Sequence, residues 1–196
     1  MFNSISTKLV CAAVDRNIVA LQNREEVIYG LNAFLTLTIN VASAIIVGAL
    51  MHMLPQIILF IAGYKSLRKY VGGSHAKNAR QCYITSIVTY IIALLLIRCN
   101  LFGQTSITIM VCICSGVMFA ICPVEAEKKP LDDLEKVVFR RRSRITISIF
   151  MILFLILHYS TAVYLNYTSN IIATSIIIVA IFAVQGNLQN RKRLSE

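Results

Sequence analysis

Long apolar runs separated by short polar stretches dominate this chain. A helix needs about 20 apolar residues to cross the hydrocarbon core of a bilayer. The runs predict an all-α integral membrane protein with about six transmembrane or membrane-embedded helices. Two of the runs, 56–64 and 83–97, are short, so they must extend into their flanks, tilt or pack among neighbours. The six runs cover residues 31–51, 56–64, 83–97, 101–121, 145–165 and 170–184.

Apolar residues at helical spacing also mark the N-terminal segment, residues 3–27, with charged residues between them. This pattern predicts an N-terminal amphipathic helix. It either lies in the membrane interface or packs on the cytoplasmic side of the bundle, and the sequence leaves both alternatives open. Residues 1–27 lack the apolar run and small-residue cleavage site of a signal peptide, so the first span is expected to act as its own insertion signal.

Composition supports a membrane environment. The chain of 196 residues is 57% apolar and only 14% charged, with a mean hydropathy of +0.72. Soluble domains carry about 25% charged residues, so a water-soluble core does not account for this much apolar sequence. We expect one membrane domain over residues 1–196.

Basic residues give the chain a net charge of +10 and lie mainly in the polar stretches. Residues 65–80 hold five Lys or Arg and 123–144 hold seven, whereas the intervening loops hold one at most. The positive-inside rule then predicts a multi-pass protein of the cell membrane with both termini in the cytoplasm. It makes 65–82 a cytoplasmic segment and 123–144 a long basic cytoplasmic loop. No basic face is interleaved with exposed aromatics, so nucleic-acid binding is not expected.

A thiol and an imidazole share the polar segment 65–82. His75 and Cys82 are seven residues apart, which on a straight helix separates them by about 10.5 Å. Proton transfer needs roughly 3–4 Å, so the backbone must bend between them, and Gly72-Gly73 permits such a bend. Cys82 would then lie near a helix N-terminus, where the dipole stabilises a thiolate. We predict Cys82 as nucleophile and His75 as its base.

The other candidate residues have two interpretations each. Ser86, one turn after Cys82, either faces the same cleft or packs between helices. His75 without a partner would be an ordinary solvated loop histidine. Cys112 and Cys114 lie on different faces of an apolar helix, which is poor geometry for zinc, and with Cys122 they are expected to pack as small hydrophobes. No metal or cofactor is expected.

Two motifs carry a family resemblance. The first is Arg68…Gly72-Gly73-Ser74-His75…Cys82…Ser86, and the second is the stretch Cys-Pro-Val-Glu-Ala-Glu-Lys-Lys-Pro at 122–130. Together they resemble the AgrB family, the accessory gene regulator membrane endopeptidases of Gram-positive quorum sensing. Chain length, span number and basic loops agree with this resemblance.

The resemblance implies a thiol protease that processes an AgrD-like propeptide, the precursor of an autoinducing peptide. Cys82 would cleave off the propeptide's C-terminal tail and hold the remainder as a thioester, with His75 moving the proton. An internal Cys or Ser of the propeptide would then displace Cys82 to form a thiolactone or lactone. Lys128, Lys129 and Arg68 are candidates for substrate binding, and a homodimer is also implied.

Two other functions stay open from the residues alone. The chain could be a small membrane transporter or peptide exporter in which Cys82 and His75 are not catalytic. It could also be a membrane scaffold for a sensor kinase, which needs neither residue. Transporters often show internal repeats with broken helices at matching positions, and no convincing repeat is visible here.

Overall fold

The computed structural model of the chain describes residues 3–16, 18–73, 79–99, 103–124 and 132–194. Within these ranges the protein is all-helical, and one turn of 3₁₀ helix, Leu21–Asn23, leads into the second α-helix. The α-helices in chain order are α1 Asn3–Asp15, α2 Arg24–Leu50, α3 Leu54–Val71, α4 Ala79–Cys99, α5 Gln104–Ile121, α6 Asp133–His158 and α7 Val163–Leu194.

Four helices of the described part are long and apolar enough to cross a membrane: α2, α4, α5 and α7. The prediction of a helical membrane protein is therefore confirmed at this level. The helix α3 carries Lys65, Arg68 and Lys69 within its 18 residues, and α6 carries a run of arginines up to Arg144. Charged side chains are costly in hydrocarbon, so the embedding of α3 and α6 stays a prediction.

The helix α7 lies at the centre, and α3, α4, α5 and α6 all pack against it. Two buried clusters result. The first joins α3, α5 and α6 to α7 and includes Leu67, Val111, Phe154 and Ile176. The second joins α2, α3 and α4 to α7 and includes Ala44, Phe60, Leu94 and Ile178.

The predicted continuous helix over 3–27 is divided in the structure. The Ala13 carbonyl accepts the amides of Ile18 at 2.9 Å and Val19 at 3.4 Å, which closes the C-terminal end of α1. The chain then turns and α1 packs on α2, with Val10 buried and the Arg24 guanidinium donating to Cys11 Sγ at 3.2 Å. A position of α1 in the membrane interface stays a prediction.

The predicted loop 123–144 and the predicted span 145–165 both need correction. Residues from Asp133 to Arg144 are helical, because Asp132 and Glu135 form a capping box in which the Asp132 amide donates to the Glu135 carboxylate at 3.4 Å. At its other end α6 stops at His158, short of residue 165. There Ser160 Oγ accepts the Ala162 amide at 3.4 Å and turns the chain into α7.

Candidate active site at the ends of α3 and α4

The segment 65–82 is mostly helical in its described parts. Residues 65–71 form the last two turns of α3, and 79–82 form the first turn of α4. The polar segment predicted from the sequence is thus a connection between two helix ends. Ser74 to Asn78 lie outside the described residues.

Gly72 and Gly73 turn the chain sharply after α3. Their φ values are 77° and 136°, a region that residues with a Cβ rarely adopt. The Gly72 amide donates to the Arg68 carbonyl at 3.1 Å and ends the helix. A methyl group on Gly72 would collide with the Val124 carbonyl, and one on Gly73 would lie 3.0 Å from the Phe182 carbonyl. Both positions therefore require glycine.

A short backbone pairing joins this turn to the end of α5. The Val124 amide donates to the Val71 carbonyl at 3.0 Å, and Gly72 and Val124 form a parallel β-bridge. The two motifs noted in the sequence therefore meet in space, although about fifty residues separate them. The sequence offered no signal for this pairing, because one bridge leaves no periodic pattern.

Cys82 lies in the first turn of α4 with its thiol exposed. This position agrees with the predicted location near a helix N-terminus. The next residue, Tyr83, shares a hydrogen bond of 2.8 Å between its hydroxyl and Ser43 Oγ of α2. The structure thus ties the start of α4 to α2, a contact that the sequence did not indicate.

Ser86 uses its hydroxyl within α4. Its Oγ donates to the Cys82 carbonyl at 2.9 Å, and the residue is half-buried. The hydroxyl therefore bonds to the turn of α4 that carries Cys82, and its role toward a substrate stays a prediction. Its oxygen retains acceptor capacity toward a ligand.

Arg68 lies half-buried under the glycine turn. Its guanidinium carbon is 4.6 Å from the centre of the Phe182 ring and 5.8 Å from that of Tyr64. Cation–π contacts of this kind stabilise a partly buried guanidinium. A methyl group on Gly73 would lie 2.9 Å from Arg68 Nη1, so the Arg68 side chain packs directly against the glycine turn. Direct contact of Arg68 with a substrate stays a prediction.

His75, Lys128 and Lys129 lie outside the described residues. The pairing of His75 with Cys82 and the substrate-binding role of the two lysines therefore stay predictions. Near the described ends of the two connections, the bridge joins Gly72 to Val124.

Cys122 provides the contrast to Cys82. All six cysteines are free thiols, but Cys122 is buried in the cluster around α7. Burial raises the pKa of its thiol to about 12, which makes it a poor nucleophile at neutral pH. The expectation that Cys122 packs as a small hydrophobe agrees with this environment. Within the described ranges, no three His, Cys, Asp or Glu side chains come close enough together to hold a metal ion.

Comparison with known proteins gives a consistent result. The family model of accessory gene regulator B, AgrB, matches residues 3–184. A Clostridium perfringens strain SM101 protein named "Putative AgrB-like protein" is 27% identical over 168 residues, covering 79% of this chain and 78% of its own. The "Putative AgrB-like protein 2" of strain 13 is 26% identical over 175 residues, covering 82% and 80%. No solved structure matches the chain.

Proposed function

Because the chain belongs to the accessory gene regulator B family, we propose that it is a membrane cysteine endopeptidase that matures a quorum-sensing propeptide. Family membership supports a part in the agr system and a link to an AgrD propeptide. The observation that carries the enzymatic proposal is Cys82. It is an exposed thiol in the first turn of an apolar helix.

The first chemical step is acyl transfer to Cys82. His75 takes the thiol proton, and the sulfur attacks the carbonyl carbon at the boundary between the signal peptide and its tail. The C–N bond breaks, His75 returns the proton to the leaving amine, and the tail departs. The N-terminal part of the propeptide remains on Cys82 as a thioester.

The second step releases the product. An internal thiol or hydroxyl of the bound propeptide gives its proton to His75 and attacks the thioester carbonyl. The C–S bond to Cys82 breaks, Cys82 leaves as a thiolate, and a thiolactone or lactone ring closes. Exchange of one thioester for another is nearly balanced, whereas hydrolysis is strongly downhill. Intramolecular positioning of the attacking group, worth effective molarities of about 10⁵ M or more, favours ring closure over hydrolysis. Exclusion of water favours it further. A cleft at the membrane provides both conditions.

The basic connections have a role in this scheme. Lys128 and Lys129 attract an acidic substrate tail through the net positive field of their surroundings. Under the positive-inside rule, the basic residues near both termini and in both connections hold these parts of the chain in the cytoplasm. We also propose that the protein forms a homodimer.

Co-expression of the chain with its candidate propeptide tests the enzymatic proposal. Wild type removes the tail, whereas Cys82→Ala and His75→Ala leave the propeptide intact, as mass spectrometry of the peptide would show. Cys99→Ala and Cys112→Ala serve as matched controls, since both thiols are also exposed, and both variants keep full activity. Unchanged tail removal in Cys82→Ala and His75→Ala contradicts the proposal and leaves a transporter or a scaffold as the function.

A further inference from the structure

The helix α2 carries a stripe of polar side chains through its apolar sequence. The stripe consists of Asn32, Thr36, Asn40 and Ser43, spaced by four, four and three residues. Residues at these spacings lie on one face of a helix. The stripe runs within a candidate membrane span. Polar side chains inside such a span are costly unless they pair, and they mark functional positions.

Two hydrogen bonds along α2 use donors of this stripe. Thr36 Oγ1 donates to the Asn32 carbonyl at 2.8 Å, and Asn40 Nδ2 donates to the Thr36 carbonyl at 3.1 Å. Because the Asn40 amide group that points to the Thr36 carbonyl must be the donor Nδ2, the other polar atom of this side chain is the oxygen, which can only accept a hydrogen bond. The side-chain oxygens of Asn32 and Asn40 are both buried and have no hydrogen-bond partner among the described residues. Two amide acceptors therefore lack a donor.

These residues line a shallow, open cleft of about 370 Å³ on the surface of α2. Its described lining is entirely from α2: Tyr29, Asn32, Ala33, Thr36, Leu37 and Asn40. The C-terminal end of the stripe touches the candidate active site, since Ser43 Oγ lies 2.8 Å from the hydroxyl of Tyr83, the residue after Cys82. The stripe, whose N-terminal part lines the cleft, therefore reaches the start of α4.

The spacing of the two acceptors fits an extended peptide. Asn32 and Asn40 are eight residues apart, about 12 Å along the helix axis. On an extended chain, N–H groups that point to one side recur every two residues, so donors four residues apart are separated by about 13 Å. Main-chain N–H groups must be paired when they leave water, and the two amide oxygens are acceptors that could pair them.

We propose that the α2 cleft binds an uncharged, extended stretch of the propeptide main chain and leads it to Cys82. The inference rests on the proposed function for the identity of the peptide. Asn32 and Asn40 act as positioning residues that accept hydrogen bonds from two peptide N–H groups. The acidic tail of the substrate lies outside this cleft.

Photocrosslinking tests binding without turnover. Leu37→p-benzoylphenylalanine places a probe in the cleft, and Phe34→p-benzoylphenylalanine places one on the same helix outside it; both native side chains are exposed. Both variants are made in full-length Cys82→Ala protein in lipid nanodiscs. The Leu37 probe captures labelled propeptide at least about tenfold more than the Phe34 probe, and excess unlabelled propeptide competes. Equal capture at both positions, or capture at Leu37 of a second copy or of lipid alone, overturns the inference.

Kinetics supply the second test, with wild-type Cys82 present. Asn32→Leu and Asn40→Leu each raise KM about tenfold, the net effect of one hydrogen bond, while kcat changes less than about twofold. Asn40→Gln, which keeps an amide oxygen, recovers part of the loss. Thr38→Val is the control, because its hydroxyl only donates to the Phe34 carbonyl at 2.9 Å outside the cleft.

The two proposals fail in different ways. Wild-type protein that cleaves nothing, with crosslinking at Leu37 intact, contradicts the enzymatic proposal and leaves a peptide-binding cleft. Cleavage that depends on Cys82, with KM unchanged in Asn32→Leu and Asn40→Leu, contradicts the cleft alone.

Discussion

The helices α2 and α7 are equally hydrophobic but occupy different places in the molecule. Their most apolar stretches share a mean hydropathy of 2.1, yet 56% of that stretch is buried inside the protein in α7 and 11% in α2. Hydropathy alone therefore does not decide which span forms the core. Small residues of α7, including Ala173, Ser175 and Ala183, are fully buried and let neighbouring helices approach closely.

The two helices also differ in how their polar side chains are paired. In α7, Ser175 Oγ donates to the Ile171 carbonyl at 3.0 Å, and the residue packs inside the bundle. In α2, Asn32 and Asn40 keep acceptors without donors. We infer that the α7 core, meaning α7 with the helices α3, α5 and α6 packed on it, holds the fold. The α2 face, meaning α2 with its contact to α4, stays accessible for a ligand.

Thiol chemistry should show the largest difference between these regions. Cys122 belongs to the α7 core, and burial raises the pKa of its thiol from 9.0 to about 12, which leaves it roughly a thousandfold less thiolate at neutral pH. Cys82, exposed next to the α2 face, should react with maleimide at least about a thousandfold faster. Peptide mapping by mass spectrometry after timed labelling measures both rates.

The pH dependence of labelling adds a control. Because only the thiolate reacts, modification of Cys122 should rise steadily as pH increases toward its pKa. Comparable rates for Cys82 and Cys122 at pH 7 would contradict the placement of Cys122 in the core.

Truncation of one phenylalanine in each region should give the next largest difference. Phe154 is completely buried in the α7 core, whereas Phe34 of α2 is 63% exposed. Phe154→Ala leaves a cavity and should lower the free energy of unfolding by about 3–5 kcal/mol. Phe34→Ala should change it by less than about 0.5 kcal/mol. Unfolding in mixed micelles of increasing SDS fraction measures both, and equal losses would remove the distinction between the two helices.

Substitution of one glycine in each region should give the smallest difference and opposite signs. A methyl group on Gly63 of α3 would lie 3.2 Å from Ser175 Oγ and 3.3 Å from Phe150 Cε1, whereas one on Gly30 of α2 meets nothing within 4 Å. Gly63→Ala should cost about 1 kcal/mol through overpacking. Gly30→Ala should gain about 0.5–1 kcal/mol through helix propensity.

The same SDS titration measures this glycine pair. Stabilisation by Gly63→Ala would show that α3 and α7 are packed less tightly than the distances around Gly63 indicate.

Much of the fold could be predicted from the sequence, because apolar runs as long as 31–51 and 101–121 leave few alternatives to helices. The helix ends were harder. A capping box begins α6 at Asp133 inside an apparently polar loop, and a turn ends it at His158 although apolar residues continue. Local hydrogen bonds decided both ends, and average hydropathy does not register them.

The candidate site was predicted in part. The sequence identified Cys82 and the two glycines because their chemistry is uncommon in a membrane protein. It did not indicate the bridge between Gly72 and Val124, the bond from Ser43 to Tyr83, or the central position of α7. Each of these depends on residues far apart in the chain, whose meeting no local pattern encodes.

The central claim is that the Cys82 sulfur forms a thioester with the substrate. Its most direct test is brief incubation of the purified protein in nanodiscs with propeptide, an acid quench, proteolysis and mass spectrometry. The account predicts the N-terminal part of the propeptide attached to the fragment that contains Cys82, through a bond that hydroxylamine cleaves. Tail removal without this adduct, or with the adduct on another cysteine, would contradict it.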